Sequence, residues 1–420
     1  MTRTPRSITV IGGGVVGSAI ALRLQNAGLD VLLIDNGDPR RAASFGNIGH
    51  IAAEQGDPMP SSQTLLSAAG RLFAFQGPLD FRLRDAALWA PWAMQFVTAS
   101  RPVHVERGAY LLSKLLHDPL GAWARMVSLA KAPSDLIRPA GHNVVWMTPE
   151  RATAGVAAWD LARKVSTTTR PLEAAELEAY EVVLNRPPSG GLAFTGTGQV
   201  SEPIRVVEAL RAAFTAKGGQ VRTGNVSTIT PHDGGVTLTL ADGGFIESHA
   251  IVVAAGAWSA SLMASLGVKA PVIGERGYSV QSAEHNWPAD LPLTVFEDSP
   301  LVVSRFTGGL RASSHVEFGN PSAPPDPRKW KWIEDRLKGL GIQFSAQPDR
   351  WCGPRPTLPD YLPAIGQLEQ APQVYYAFGH QHLGLTLAAE TAEIMEGLIV
   401  NREQPHWLSS LKIERFAKAR

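Results

Sequence analysis

Gly12-x-Gly14-x-x-Gly17 directly follows the apolar run from Ser7 to Ile11, and it opens a stretch, residues 18–26, with helical apolar spacing. A second apolar run at 31–34 ends on Asp35, eighteen residues past the last glycine. Strand, glycine turn, helix and strand form a βαβ unit, and these spacings suit the ADP half of a dinucleotide. The first glycine permits the tight turn. Gly14 lets the backbone approach a pyrophosphate, and Gly17 lets helix and strand pack closely. The helix N-terminus offers unpaired N–H groups and the positive end of the helix dipole to phosphate. Asp35 is placed to accept from a ribose hydroxyl, and an acid here disfavours a 2′-phosphate. The motif alone leaves FAD and NAD both open.

Arg3 and Arg6 before the apolar stretch 8–24 imitate a secretory signal, but Gly12, Gly13, Gly14 and Gly17 interrupt it, and cleavage would destroy the nucleotide motif. A signal peptide is therefore not expected. No run reaches the roughly 20 apolar residues that span a bilayer. The 39 Lys and Arg balance 38 Asp and Glu, so no net field favours nucleic acid. A small substrate is expected instead. A chain of 420 residues, 44% of them hydrophobic, has room for two lobes. Cys352 is the single cysteine, which excludes an internal disulfide.

Residues 62–130 read as a helical insertion interrupted at Pro91. A second α/β unit follows, with a helix at 204–217 and a strand starting at Val221. Alternation at 236–240, the turn Asp242-Gly243-Gly244 and an apolar strand ending at 251–253 suggest a hairpin feeding a buried sheet. Short strands between 271 and 318 suggest an antiparallel sheet. Residues 321–327 hold four prolines and read as a linker, followed by a helix at 329–340, a proline-rich loop at 351–363, a strand at 374–378 and a helix at 385–399.

Five segments resemble the D-amino-acid oxidase-like superfamily of FAD-dependent oxidoreductases, in particular its D-amino-acid dehydrogenase and glycine oxidase branches. They are Ala43-Ser44-Phe45-Gly46-Asn47-Ile48-Gly49-His50; Gly198-Gln199-Val200-Ser201-Glu202-Pro203, similar to a strand-to-helix turn of the substrate-side sheet; residues 252–259 around Ala255-Gly256-Ala257-Trp258; Trp351-x-Gly353-x-Arg355-Pro356; and Phe378-Gly379-His380-Gln381-His382-Leu383-Gly384. The resemblance implies an α/β fold with an α+β second lobe: a Rossmann-like FAD-binding domain, an antiparallel-sheet substrate domain and a helical insertion. It implies an FAD site drawn from Gly12, Gly14, Val15, Val16, Gly17, Asp35, Asn36, Ser44, Asn47, Gly49, His50, Val226, Ala255, Gly256, Trp258, Gly353, Arg355, Gly379, His380, Leu383, Gly384, Leu385 and Thr386. The FAD-binding domain is expected from residues 1–83, 148–230, 249–270 and 335–420, and the substrate domain from 84–147, 231–248 and 271–334.

Oxidation at an α-carbon by flavin needs orientation more than a strong base. Arg355 is the leading candidate for a carboxylate clamp, because guanidinium grips carboxylate in two-pronged fashion. Tyr278 is a second candidate through its hydroxyl. His50 either faces flavin and substrate or is a buried histidine satisfied by backbone. His315, His380 and His382 lack metal-ligand spacing with nearby acids, so no metal site is expected. Cys352 matches the linkage cysteine of covalent relatives poorly, and noncovalent FAD is expected. Around Ser299-Pro300-Leu301 the chain departs from glycine oxidases, which carry a substrate-facing tyrosine there. The resemblance of residues 46–55 to the dehydrogenase branch implies a D-amino or cyclic D-imino acid substrate, such as D-proline or hydroxy-D-proline, with electrons passed to a quinone or other carrier. The alternative is a glycine- or sarcosine-type oxidase making peroxide, or a noncatalytic flavin-binding subunit. The expected location is the cytoplasm, with peripheral contact at the inner membrane face left open.

Overall fold

The computed structural model describes residues 5–417, so Arg3 lies outside the described residues. Ser7–Ile11, Asp30–Asp35, Gln220–Thr223, Ala250–Val253 and Val374–Phe378 form a parallel sheet, to which Ala364–Gln367 adds an antiparallel edge. Ile251, Val252 and Val253 are fully buried because helices cover one face and the three-stranded sheet of Val226–His232, Gly235–Leu240 and Phe245–Ser248 the other. Each such side chain contributes about 1.5–3 kcal/mol on burial. The supposed signal segment is the first strand and the helix Val15–Asn26, whose apolar face packs against helices Pro203–Ala216 and Gly384–Glu396.

The second sheet has nine strands and is mostly antiparallel. Its longest members, Ile273–Ser282 and Gly309–Gly319, pair with each other and place the edge strand Asp349–Thr357 beside the first. That edge strand corrects the expected proline-rich loop at 351–363. Pro354 and Pro356 share one parity, so both missing N–H groups point off the open edge, where a proline costs no ladder bond. A further correction concerns Gly198–Val200. It pairs with His50–Ile51 and Ile137–Arg138 in a separate three-stranded sheet rather than in the substrate-side sheet, before feeding helix Pro203–Ala216.

The expected hairpin is present as Gly235–Leu240 with Phe245–Ser248, flanked by Val226–His232. In the insertion, Pro91 lies inside an unbroken helix, Ala86–Ala99, followed by Pro102–Leu115 and Pro119–Ala130. A short strand, Leu79–Phe81, pairs parallel to Gly309–Gly319 where only helix was expected. We propose domains centred on the two large sheets. Pro119–Ala130 then joins the parallel sheet through its packing on Gly384–Glu396, and Asp349–Thr357 joins the other, which moves the expected boundaries at 84–147 and 335–420.

Candidate active site

A cavity of about 1170 Å³ runs from the glycine turn of the parallel sheet to the face of the nine-stranded sheet. At the first end, Gly12 (φ +106°) turns the chain, and its N–H donates to Ile34 O at 2.8 Å. A Cβ on Gly17 would lie 1.8 Å from Gly12 O, so this glycine allows the helix to seat against the turn. Asp35 accepts from Gly13 N at 2.7 Å and from Gly37 N at 3.2 Å. Arg211, on helix Pro203–Ala216, comes within 3.5 Å of the same carboxylate.

At the other end, Arg355 donates to Glu275 at 3.1 Å from the paired position on the neighbouring strand. Glu275 is buried, and its second oxygen accepts from Thr357 Oγ1 at 2.9 Å and Tyr361 Oη at 3.0 Å. The guanidinium lies across Gly277, where any Cβ would come within 2.4 Å of Nη2. Its Nη1 also reaches His315 O, while Nε and Nη2 have no hydrogen-bond partner among the described residues. Arg355 thus presents a fork of donors to the cavity from a rigid strand.

Tyr278 turns out differently. The strand's alternation puts Arg276 and Tyr278 on the face opposite Glu275, towards helix Pro327–Leu340. There its hydroxyl donates to Glu317 at 3.1 Å and accepts from Asp326 N at 3.0 Å. Lys329 and Arg276 hold Glu317 in the same buried cluster. Tyr278 still lines the cavity, with the single proton of its hydroxyl committed to Glu317. Cys352 shares that face, with Sγ 3.3 Å from Arg276 Nη2, and burial pushes its thiol up.

A family model described as "FAD dependent oxidoreductase" matches residues 7–398. The chain belongs to this family. It is 29% identical to a D-amino-acid oxidase of Bradyrhizobium diazoefficiens, covering 98% of this chain and 99% of that one. It is 28% identical to a D-amino acid dehydrogenase of Paramagnetospirillum magneticum, covering 97% and 98%. Glycine oxidase from Geobacillus kaustophilus has the same fold, with a TM-score of 0.69 at 20% identity over 97% of this chain and 98% of that chain.

The cavity fits the FAD of this flavoenzyme family. Helix Val15–Asn26 has no side-chain cap, and its first turn opens onto one end. Helix Gly384–Glu396 likewise begins uncapped at the other end, where free N–H groups would stabilise negative charge on reduced flavin. Of the residues expected to hold the cofactor, Gly12, Gly14, Val15, Val16, Asp35, Asn36, Ser44, Asn47, His50, Val226, Ala255, Gly256, Trp258, Arg355, His380, Gly384 and Leu385 line the cavity.

Six do not line it, and each has another physical task. Gly17 allows helix packing, as above. Gly49 (φ +76°) and Gly379 (φ +81°) turn the chain. Gly353 makes room for the Trp351 ring, which also covers Gly46. Leu383 is core, and Thr386 Oγ1 accepts from Ala52 N at 2.9 Å, tying the helix to the loop after His50.

Sequence reasoning missed Glu275, Tyr361, Gln55, Glu54, His142 and His382. His50 stacks edge-on against His142, with centroids 4.4 Å apart, and its Nε2 is 3.8 Å from Glu54 Oε2. The expectation about metals rested on other histidines. Here the ligand atoms of His50, Glu54 and His142 gather within 4.8 Å of one another. Burial, with His382 adding to it, pushes His50 down to about 3, and burial pushes Glu54 up to about 8. Both are neutral near pH 7. The His50 Nε2 and Glu54 Oε2 atoms have no hydrogen-bond partner among the described residues.

For Glu54 the folded state keeps a proton that the unfolded state has lost between its ordinary value and about 8, so stability falls as pH rises through that window. Glu54→Gln removes the titration. Denaturant melts of the flavin-loaded protein between pH 5 and 9 are expected to show a flatter pH slope for Glu54→Gln, by at most about 1.4 kcal/mol per unit. Parallel slopes for the two proteins would refute a protonated Glu54.

Proposed function

We propose that this flavoenzyme oxidises the carbon–nitrogen bond of a D-amino or cyclic D-imino acid, with D-proline and hydroxy-D-proline as candidates. The observation that carries the reading is Arg355, braced by Glu275 on one side and offering unpaired donors to the cavity on the other. The relatives named D-amino-acid oxidase and D-amino acid dehydrogenase support the substrate class.

FAD, when bound, accepts the hydride leaving the α-carbon. Arg355 holds the substrate carboxylate through two parallel hydrogen bonds, fixing the direction in which the α-hydrogen points. Glu275 keeps the guanidinium from rotating away, and Thr357 and Tyr361 keep Glu275 in place. With D-proline and its carboxyl-free analogue pyrrolidine as a pair, Arg355→Met is expected to cost the acid about 3–5 kcal/mol in kcat/KM and the amine little. Equal losses on both would mean that Arg355 supports the flavin or the strand instead.

For the electron acceptor, the dehydrogenase-like segment at residues 46–55 favours a quinone or similar carrier, while the oxidase relative favours dioxygen as a second reading. Among the described residues no helix is long and apolar enough to cross a membrane. Peripheral docking has a specific support. Helix Ala86–Ala99 carries no charged residue, Leu88, Pro91 and Met94 lie on one exposed stripe, and Leu66, Phe75 and Leu83 earlier in the same insertion are exposed as well. Arg71, Arg84, Arg101 and Arg107 are exposed in the same segment, and residues between 67 and 78 line the cavity. Such a surface suits an anionic bilayer. Quinone in anionic vesicles is expected to reoxidise the flavin much faster than air, and Leu88→Glu with Met94→Glu should abolish the vesicle effect while leaving dye reduction intact. Peroxide formation in air at comparable rates would favour the oxidase.

A further inference from the structure

His382 sits in the turn before helix Gly384–Glu396, flanked by the buried residues Gln381 and Leu383, yet it is itself only partly buried. The surface it keeps opens onto the cavity that also holds Arg355. Its backbone is anchored: the His382 N–H donates to Gln381 Oε1 at 3.0 Å, and Gln381 Nε2 donates to Tyr361 O at 2.7 Å. The ring faces Tyr361, with centroids 6.4 Å apart. Its Nε2 bonds to Gln55 Oε1, another cavity residue. With the Gln55 amide oxygen turned towards it, Nε2 carries the ring proton and Nδ1 presents a lone pair. That Nδ1 has no hydrogen-bond partner among the described residues.

We infer that His382 Nδ1 accepts a proton from the substrate ammonium, so that a substrate held by Arg355 loses hydride as the free amine. The inference rests on the amino-acid reading above and adds the group that readies the nitrogen. In the proton-transfer step an N–H bond of the ammonium breaks and an Nδ1–H bond forms, with no change of oxidation state. The lone pair left on nitrogen then helps to expel hydride from the neighbouring carbon, and the electron pair goes to FAD, the family's acceptor.

The charged surroundings suit both halves of this cycle. Glu275, Arg355 and His50 are the titratable groups acting on or acted on by His382, and Tyr361 faces its ring. Burial, opposed by Glu275 and reinforced by Arg355, pushes the imidazole down to about 4, so it meets the substrate neutral but as a weak base, and it accepts the proton only as substrate binding raises it. Once a substrate carboxylate covers Arg355, the repulsive member of the pair is offset and Glu275 remains to stabilise the imidazolium. Gln55 acts as a positioning residue, since it sets which ring nitrogen is free.

The test is rapid anaerobic reduction of the FAD-loaded enzyme by a D-amino acid, followed in wild type and His382→Asn from about pH 7 to about pH 10, where a free α-amine is largely unprotonated. Flavin content and thermal melts establish that the variant is folded and loaded. Near pH 7 the variant is expected to be slower by about 100-fold or more. At about pH 10, where solvent has already removed the proton, it should approach wild type. Gln55→Met should show the same pH pattern with a smaller loss. An equal loss for His382→Asn at every pH would reduce His382 to a structural part and overturn the proposal while leaving the substrate class standing. Failure of every amino acid to reduce the wild type at any pH would overturn the substrate class and this proposal together.

Discussion

A buried carboxylate, Glu275, is the constraint around which the substrate end is arranged. Leaving such a charge unpaired in a protein interior costs several kcal/mol, so the fold must bring it partners. It supplies Arg355 from the adjacent strand, Thr357 two residues further along and Tyr361 from the loop that follows. The arginine is thereby held at the cavity wall with one edge satisfied and the other free. A carboxylate ligand there would complete the proposed site without any new cost of ordering the side chain.

The two sheets divide the labour. The parallel sheet and its two uncapped helices create the dipole ends that suit a dinucleotide and reduced flavin, whereas the nine-stranded sheet provides a stiff wall for substrate. Strand alternation keeps the wall's two faces chemically separate. Arg355 faces the cavity with buried Glu275 paired to it, and one residue along, Arg276, Tyr278 and Cys352 reach a second buried ionic cluster under helix Pro327–Leu340.

The nucleotide end was legible because its logic is local: a turn, a helix start and a terminal acid lie within about thirty residues, and local sequence encodes each. The wall was harder to read. Arg355 was identified by its signature, but its partner Glu275 lies eighty residues earlier, and only strand pairing joins them. Tyr278 was legible as a candidate, but its hydrogen bonds to Glu317 and Asp326 join distant segments that sequence does not bring together. The prolines at 354 and 356 suggested a loop, since sequence does not announce which strand will be an edge. Gly353 and Gly379 sit in functional-looking motifs yet serve a tryptophan ring and a turn. His382 was set aside for lacking metal spacing, and its contact with Gln55 joins segments more than three hundred residues apart, which sequence does not announce.

The account stands or falls on whether the Arg355 wall receives an amino acid that reduces the flavin. Anaerobic mixing of the FAD-loaded protein with a panel of D-amino and cyclic D-imino acids, read by the visible flavin absorbance, measures this directly. Bleaching by D-amino acids, with the matching carboxyl-free amines far less effective, is the expected result. A flavin that stays oxidised with the whole panel, or that amines bleach as readily as the acids, would contradict it.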